Sequence, residues 1–242
     1  MVANPKTVIV TGASQGIGAA VANLFTEHGY NVVANSRRIS EKNELRRSDN
    51  LALVDGDIAQ EATAAKLVDT AVKRFGSVDA LVNNAGIFIS KPFTDYTARD
   101  FEALSATNLN GFFFPTQRFI KQLLAEGKGG SVVNVTASIA NHPLLALPAS
   151  VAMITKGGIN AASRSLALEY AKQGIRVNAV APGVVETPLL EGVPKDFLRT
   201  LSPLGKLGAS RDIAEAVLYL TEASQVTGEV LYVNGGSHVG KW

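Results

Sequence analysis

The sequence contains no cysteine. Disulfides, thiolate catalysis and every zinc site built on sulfur are thereby excluded, and the composition fits a reducing compartment. Imidazole is scarce as well: His28, His142 and His238 lie too far apart in the chain for a metal-ligand spacing. Charge of neither sign dominates. The 23 Lys and Arg and 21 Asp and Glu are dispersed, for a formal net charge of +2, so no nucleic-acid footprint is visible. No apolar run is suited to crossing a membrane either. Met1 to Val10 carries Pro5 and Lys6 where a signal core would lie, which predicts a cytoplasmic protein. A long stretch without Asp, Glu, Lys or Arg, Gly129 to Thr155, is interrupted by Asn134, Asn141, His142, Pro143 and Pro148. It reads as a buried strand followed by a cleft wall.

What is present is the arithmetic of one ordinary α/β domain over residues 1–242, at 46% hydrophobic and 18% charged. Seven short β-branched runs recur: Thr7 to Val10, Asn31 to Asn35, Leu51 to Val54, Asp79 to Val82, Ser131 to Thr136, Arg176 to Ala181 and Glu229 to Val233. Each is nearly all apolar, as strands covered on both faces require. Helical patterns fall at Ile17 to His28, Glu61 to Phe75, Asp100 to Glu126, Ala152 to Lys172 and Arg211 to Glu222. Strands alternating with helices predict a single-domain, Rossmann-like, doubly wound parallel sheet of seven strands with helices on both faces. Neither a Gly/Ser-rich or Pro-rich linker nor an internal repeat interrupts it.

Directly after the first strand stands Thr11-Gly12-Ala13-Ser14-Gln15-Gly16-Ile17-Gly18. Strand, glycines and helix in that order make a phosphate cradle. Gly12 permits the tight turn, Gly16 lets backbone approach a pyrophosphate, and Gly18 lets helix and strand pack closely, with the helix N-terminus facing the anion. A glycine-rich turn without a ligand is the plainer alternative. The second strand ends in Ser36-Arg37-Arg38, where an acidic residue would accept hydrogen bonds from the ribose hydroxyls and repel a 2′-phosphate. With guanidiniums in its place, NADP(H) is expected over NAD(H), unless Arg37 and Arg38 are only a solvated loop pair.

With this glycine spacing followed by Asn83-Asn84-Ala85-Gly86 after the fourth strand, the chain resembles the short-chain dehydrogenase/reductase family over nearly its whole length. Further matches are Asp57 after the third strand, Asn108 in Asn-Leu-Asn-Gly, Ser138 after the fifth strand, Lys156 in the next helix, and Arg176 to Gly183. The resemblance implies that Asp57 meets the adenine, that Asn84, Ala85 and Gly86 line the cofactor, and that Thr187 holds the carboxamide. Ser14, Gln15, Ile17, Ile58, Pro182, Gly183 and Val185 complete the implied cofactor set. Each has a plainer role too: Asp57 as a helix cap, Asn83 and Asn84 as turn caps, Thr187 as a loop hydroxyl.

The family transfers hydride between a nicotinamide and a carbonyl or alcohol, using a Ser, a Tyr and a Lys four residues after the Tyr. Hydride reaching a carbonyl carbon leaves negative charge on oxygen, so a positioned acid must donate a proton, and a nearby ammonium lowers the phenol pKa. Here Lys156 is present, but Ala152 stands four residues before it, and no tyrosine occurs between Tyr96 and Tyr170. Ser138 precedes Ala152 by 14 positions, one more than the family's usual spacing. By the resemblance Lys156 also binds the nicotinamide ribose, so cofactor binding can survive the loss of the phenol.

Three readings follow. In the first, the enzyme reduces a C=N bond already protonated as an iminium, or another activated double bond, which needs no proton from the protein. Apolar residues such as Phe88, Ile89, Leu144, Leu145, Leu147 and Leu190 then wall a cleft for an apolar, cyclic substrate. In the second, it reduces ketones or 3-oxoacyl groups with Ser138, His142 or a water held by Asn108 and Lys156 as substitute donor. In the third, it binds NADPH without turnover. The cost of losing a general acid, about a hundredfold to ten-thousandfold, favours the first. Residues 188–208, with Pro188, Pro194 and Pro203, resemble the family's mobile substrate lid, and the Asn234-Gly235-Gly236 edge implies by resemblance a homotetramer. A small-molecule substrate is the expected partner, with neither nucleic acid nor membrane.

Overall fold

A computed structural model describes residues 5–240. Met1 to Asn4, part of the segment read for a signal, and the chain end reaching Trp242 lie outside the described residues. Seven strands, Thr7–Thr11 (β1), Asn31–Ser36 (β2), Leu51–Asp55 (β3), Ala80–Asn83 (β4), Gly130–Val135 (β5), Ile175–Pro182 (β6) and Val230–Val233 (β7), form one parallel sheet. Its order is β3-β2-β1-β4-β5-β6-β7. The register runs Ile9 opposite Val33 on one side of β1 and Leu81 on the other. Such strands must be apolar on both faces, and Val8, Ile9, Val10, Val32 and Val33 are fully or almost fully buried.

Helices Gly16–Glu27 (α1), Glu61–Phe75 (α2), Ala98–Leu104 (α3), Gly111–Glu126 (α4), Ser150–Glu169 (α5), Lys195–Arg199 (α6) and Ser210–Glu222 (α7) complete the chain. Two hydrophobic layers result. Val21, Leu24 and Phe25 of α1 join Ile213, Val217 and Leu220 of α7 on one face of the sheet. Leu67 and Val68 of α2, Phe119 and Leu123 of α4 and Ala167 of α5 cover the other. In α2 the buried set Ala64, Leu67, Val68, Ala71 is the spacing of a single helical stripe, and Gly76, at φ 83°, ends the helix in the left-handed region.

Two helical expectations change. The pattern from Asp100 to Glu126 is not one helix: α3 is capped by Thr97, whose hydroxyl accepts the Asp100 N–H, and gives way to a π-helical turn over Ser105–Asn110 before α4. Pro115 cannot donate to the Gly111 carbonyl, so the start of α4 lacks a rung of the regular ladder. α5 begins two residues earlier than expected, at Ser150, and stops at Glu169, followed by a tight 3-10 turn over Ala171–Gln173.

The sheet order reverses direction of growth between β1 and β4. Both strands end toward the same crevice, the place where doubly wound sheets hold ligands.

Candidate dinucleotide and reaction site

The glycine turn sits at that crevice. Gly12 (φ 63°) and Gly16 (φ 58°) adopt the left-handed backbone that side chains resist. Gly18 is constrained by space instead: a Cβ there would lie 2.2 Å from the Gly12 carbonyl oxygen. The turn is locked to the end of β4 by Asn84, whose side-chain amide donates to the carbonyls of Thr11 (2.9 Å) and Gly12 (3.1 Å). Thr11 reciprocates, its hydroxyl accepting from the N–H groups of Asn84 (3.0 Å) and Ala85 (3.1 Å). Asn83 faces inward instead, donating to Thr116 and Asn134 at 2.8 Å each within the core.

Beside the turn lies a cavity of about 330 Å³ lined by Ser14, Gln15, Ser36, Arg37, Arg38, Lys42, Asn43 and Glu44. Both arginines are exposed, and Arg38 makes only a loose ion pair with Glu41 at 3.7 Å. Their cationic heads are therefore available to an anion. Asp57 accepts the Ala59 N–H at 3.0 Å, a local turn at the entrance to α2. Ile58 is buried in the core, where Gly111 gives it room: a Cβ at Gly111 would approach its side chain to 2.9 Å. At the other end of the crevice, Thr187 and Pro188 pack close to Gly16. Pro182 closes β6, Gly183 packs against Asn234, and Val185 is buried and bridged to Gly208, which clips residues 186–207 at their base.

The reaction end is built on the π turn. It presents Asn108, which is buried and held from three sides: Oδ1 accepts the Ile87 N–H (2.9 Å), while Nδ2 donates to the Ile87 carbonyl (3.2 Å) and to the Thr155 hydroxyl (3.1 Å). Thr155 in turn donates to the Ala152 carbonyl at 2.9 Å. Lys156, the next residue, directs Nζ to the Val135 carbonyl at 2.9 Å, passing Gly86, where a Cβ would come within 3.0 Å of Nζ. Burial alone lowers the Lys156 amine to about 8. Ser138 opens a short 3-10 turn and is buried, its carbonyl accepting the His142 N–H at 3.1 Å. Asn108 is bonded to Thr155, and a Cβ at Gly86 would meet both Lys156 Nζ (3.0 Å) and Asn108 Oδ1 (3.2 Å), so the three frame one place in the fold.

Ala152 is 2% exposed and belongs to an apolar cluster with Leu104, Ala149 and Val151, against which Ile87, Phe88, Ile89, Tyr96 and Ile139 pack. The phenol in that cluster is Tyr96, 56 residues away in sequence. Its hydroxyl donates to the Ile89 carbonyl at 2.7 Å, and burial raises its pKa, so its proton is committed and held more tightly. His142 turns elsewhere: its ring meets Tyr232 (5.1 Å between centroids) and His238 (5.7 Å). Leu145, placed by sequence in the cleft wall, is fully exposed. Sequence reading missed Thr11, Thr155, Tyr96, Lys42 and Glu44. For Lys42 the available signal was a third cation four residues after Arg38.

Fold and glycine turn define a nucleotide-binding α/β protein. A family model for enoyl-(acyl carrier protein) reductases matches residues 12–238. The chain is 37% identical to a glucose 1-dehydrogenase of Gluconobacter oxydans, covering 96% of this chain and 91% of that protein. It is likewise 37% identical to an NADP-dependent (R)-specific alcohol dehydrogenase of Lentilactobacillus kefiri, over 96% of each. Among solved structures, a Tyr-to-Phe variant of ElxO with NADPH bound superposes with a TM-score of 0.89 at 30% identity, covering 98% of this chain and 100% of that one. The chain belongs to the short-chain dehydrogenase/reductase family of oxidoreductases.

The buried amine yields a prediction of sign. An unfolded-state Lys156 holds its proton to 10.5, the folded one only to about 8, so the unfolded chain binds more protons between those values and stability rises with pH there. In Lys156→Met this rise is absent. Melting curves of the cofactor-free protein will show the parent gaining on the variant from pH 8 to 10.5; a constant difference contradicts burial of the amine.

Proposed function

We propose that the protein is an NADP(H)-dependent reductase of a C=N bond already protonated as an iminium, or of a comparably activated double bond, in an apolar and possibly cyclic substrate. The single observation behind this is the retention of buried Asn108, Ser138 and Thr155 and of Lys156 beside a buried Ala152 where the family carries its phenol. The cradle fits a dinucleotide: the space taken by a Cβ at Gly12 or Gly18 is already filled by backbone, so these positions hold the turn shape that backbone N–H groups need to meet phosphate. Arg37 and Arg38 would meet the 2′-phosphate, Asp57 and Ile58 the adenine end, Lys156 the nicotinamide ribose, and Asn84 to Gly86 with Pro182 to Thr187 the remainder. Bound there, NADPH supplies hydride.

The protein's own residues then position and exclude. Asn108 and Thr155 hold the Ala152 turn of α5, and the small Ala152 side chain, set in an apolar cluster, leaves room for bulk on a substrate nitrogen. An iminium substrate ends as a neutral amine, so no side chain has to deliver a proton. A ketone would leave an alkoxide and lose about a hundredfold to ten-thousandfold without a general acid.

A second reading, ketone or 3-oxoacyl reduction with Ser138 or a water on Asn108 and Lys156 as donor, draws support from the alcohol dehydrogenase relative. His142 is the weaker candidate for that role, because its ring packs on Tyr232 and His238. Residues 188–208 serve as substrate lid; Leu189 and Leu204 are exposed there while Leu198 and Leu201 are buried. We place the protein in the cytoplasm; among the described residues no helix is long and apolar enough to cross a membrane. A homotetramer is the proposed assembly, for which the exposed Phe113 on α4 and Ile154 and Leu168 on α5 offer apolar contact surface.

Two experiments test these assignments. Changing Arg37 and Arg38 together to Ala weakens NADPH binding about tenfold to a hundredfold and NADH binding far less; equal loss for both removes the 2′-phosphate assignment. Ala152→Tyr raises ketone turnover relative to imine turnover. A uniform loss of both would instead say that the pocket requires the small side chain, and an unmoved ratio with both activities retained would set the C=N reading aside.

A further inference from the structure

The connection between β2 and β3, residues 37–50, joins two parallel strands without an α-helix, although such crossovers are usually helical. It runs instead along α1 as a strap. Glu44 donates its N–H to the Ser14 carbonyl (2.9 Å), and its own carbonyl accepts from the Asn23 amide (3.1 Å). Arg46 follows, its N–H on Asn23 Oδ1 (2.9 Å) and its guanidinium on Glu27 (2.8 Å). Ile39 is fully buried and Leu45 packs on the same core layer, so the strap is fixed by apolar contacts as well.

This lacing carries Glu44 to the start of α1, with its side chain exposed. Its Oε2 accepts the Gly16 N–H at 3.1 Å, on the glycine turn itself. The carboxylate also lines the cavity that Ser36, Arg37, Arg38 and Lys42 share. A negative charge thus shares the cavity with three cations, on an amide suited to an anionic ligand.

We infer that Glu44 is a specificity-determining residue of the dinucleotide site, tempering the preference for a 2′-phosphorylated cofactor. The inference rests on the dinucleotide reading above. A 2′-phosphate in this cavity is attracted by the guanidiniums and repelled by the carboxylate, whereas an unphosphorylated ribose offers hydroxyl donors that a carboxylate accepts. Glu44 therefore works against Arg37 and Arg38, and the sequence shows only one side of that contest at the end of β2. Removing its charge while keeping an acceptor for the Gly16 N–H separates the electrostatic part from the structural one.

The test is titration of NADPH and NADH onto the full chain, followed by nicotinamide fluorescence, for the parent, Glu44→Gln and Glu44→Ala. In both variants NADPH binding tightens about twofold to fivefold, the range of one exposed charge pair, and the NADPH over NADH preference rises with it. The Gln variant keeps the turn's acceptor, so it reports on charge even if the Ala variant loosens the strap. NADPH binding that is unchanged or weaker in Glu44→Gln, or NADH binding that tightens equally, overturns the inference. A parent that binds neither nucleotide overturns the cofactor reading itself, and this inference with it.

Discussion

The ends of β1 and β4 diverge at one crevice, and Asn84 holds them there, its amide spanning the carbonyls of Thr11 and Gly12 while Thr11 takes two N–H groups in return. This exchange fixes the glycine turn against the strand beside it in the sheet. Everything downstream inherits that position: the start of α1, the cavity beside Ser36, and Gly86, whose missing Cβ leaves the path for Lys156. The four bonds are short and partly buried, so water competes poorly for them.

Around that anchor the chain combines buried polar residues with an alanine at position 152. Lys156 is carried to Val135 and Asn108 is gripped by Ile87 and Thr155. Maintaining a lone buried amine at about 8 opposes folding near neutral pH, since burial penalises its charged form. Next to this costly frame, Ala152 is buried in an apolar cluster with Leu104 and Val151. The one phenol within the cluster, Tyr96, gives its proton to a backbone carbonyl. In the proposed reading, hydrocarbon at position 152 goes with a reaction in which charge is neutralised rather than created.

Much of this was legible in the sequence, for identifiable reasons. Strands buried on both faces leave continuous apolar runs, which is why Thr7 to Val10 and Asn31 to Asn35 could be placed almost to the residue. Glycines between a strand and a helix have few other uses. The π turn at Ser105–Asn110 was not legible, because one extra residue per turn barely disturbs an apolar stripe between Asp100 and Glu126. Tyr96 is invisible to a count along α5, which does not see a neighbour brought in from another segment. An imidazole at His142 is chemically suitable, yet residue type says nothing of direction, and its ring packs on Tyr232 and His238. The strap is the clearest case: residues 37–50 have no periodicity, and only hydrogen bonds to Ser14, Gly16 and Asn23 reveal what Glu44 faces.

The central claim is that Ala152 marks a reaction needing no proton from the protein. The most direct measurement follows NADPH oxidation with an apolar cyclic ketone and the imine of the same skeleton, between about pH 6 and 8. The account predicts faster imine turnover, growing as pH falls and the iminium fraction rises. Turnover of the ketone alone would contradict it and would assign proton donation to Ser138 or a water on the Asn108 and Lys156 frame.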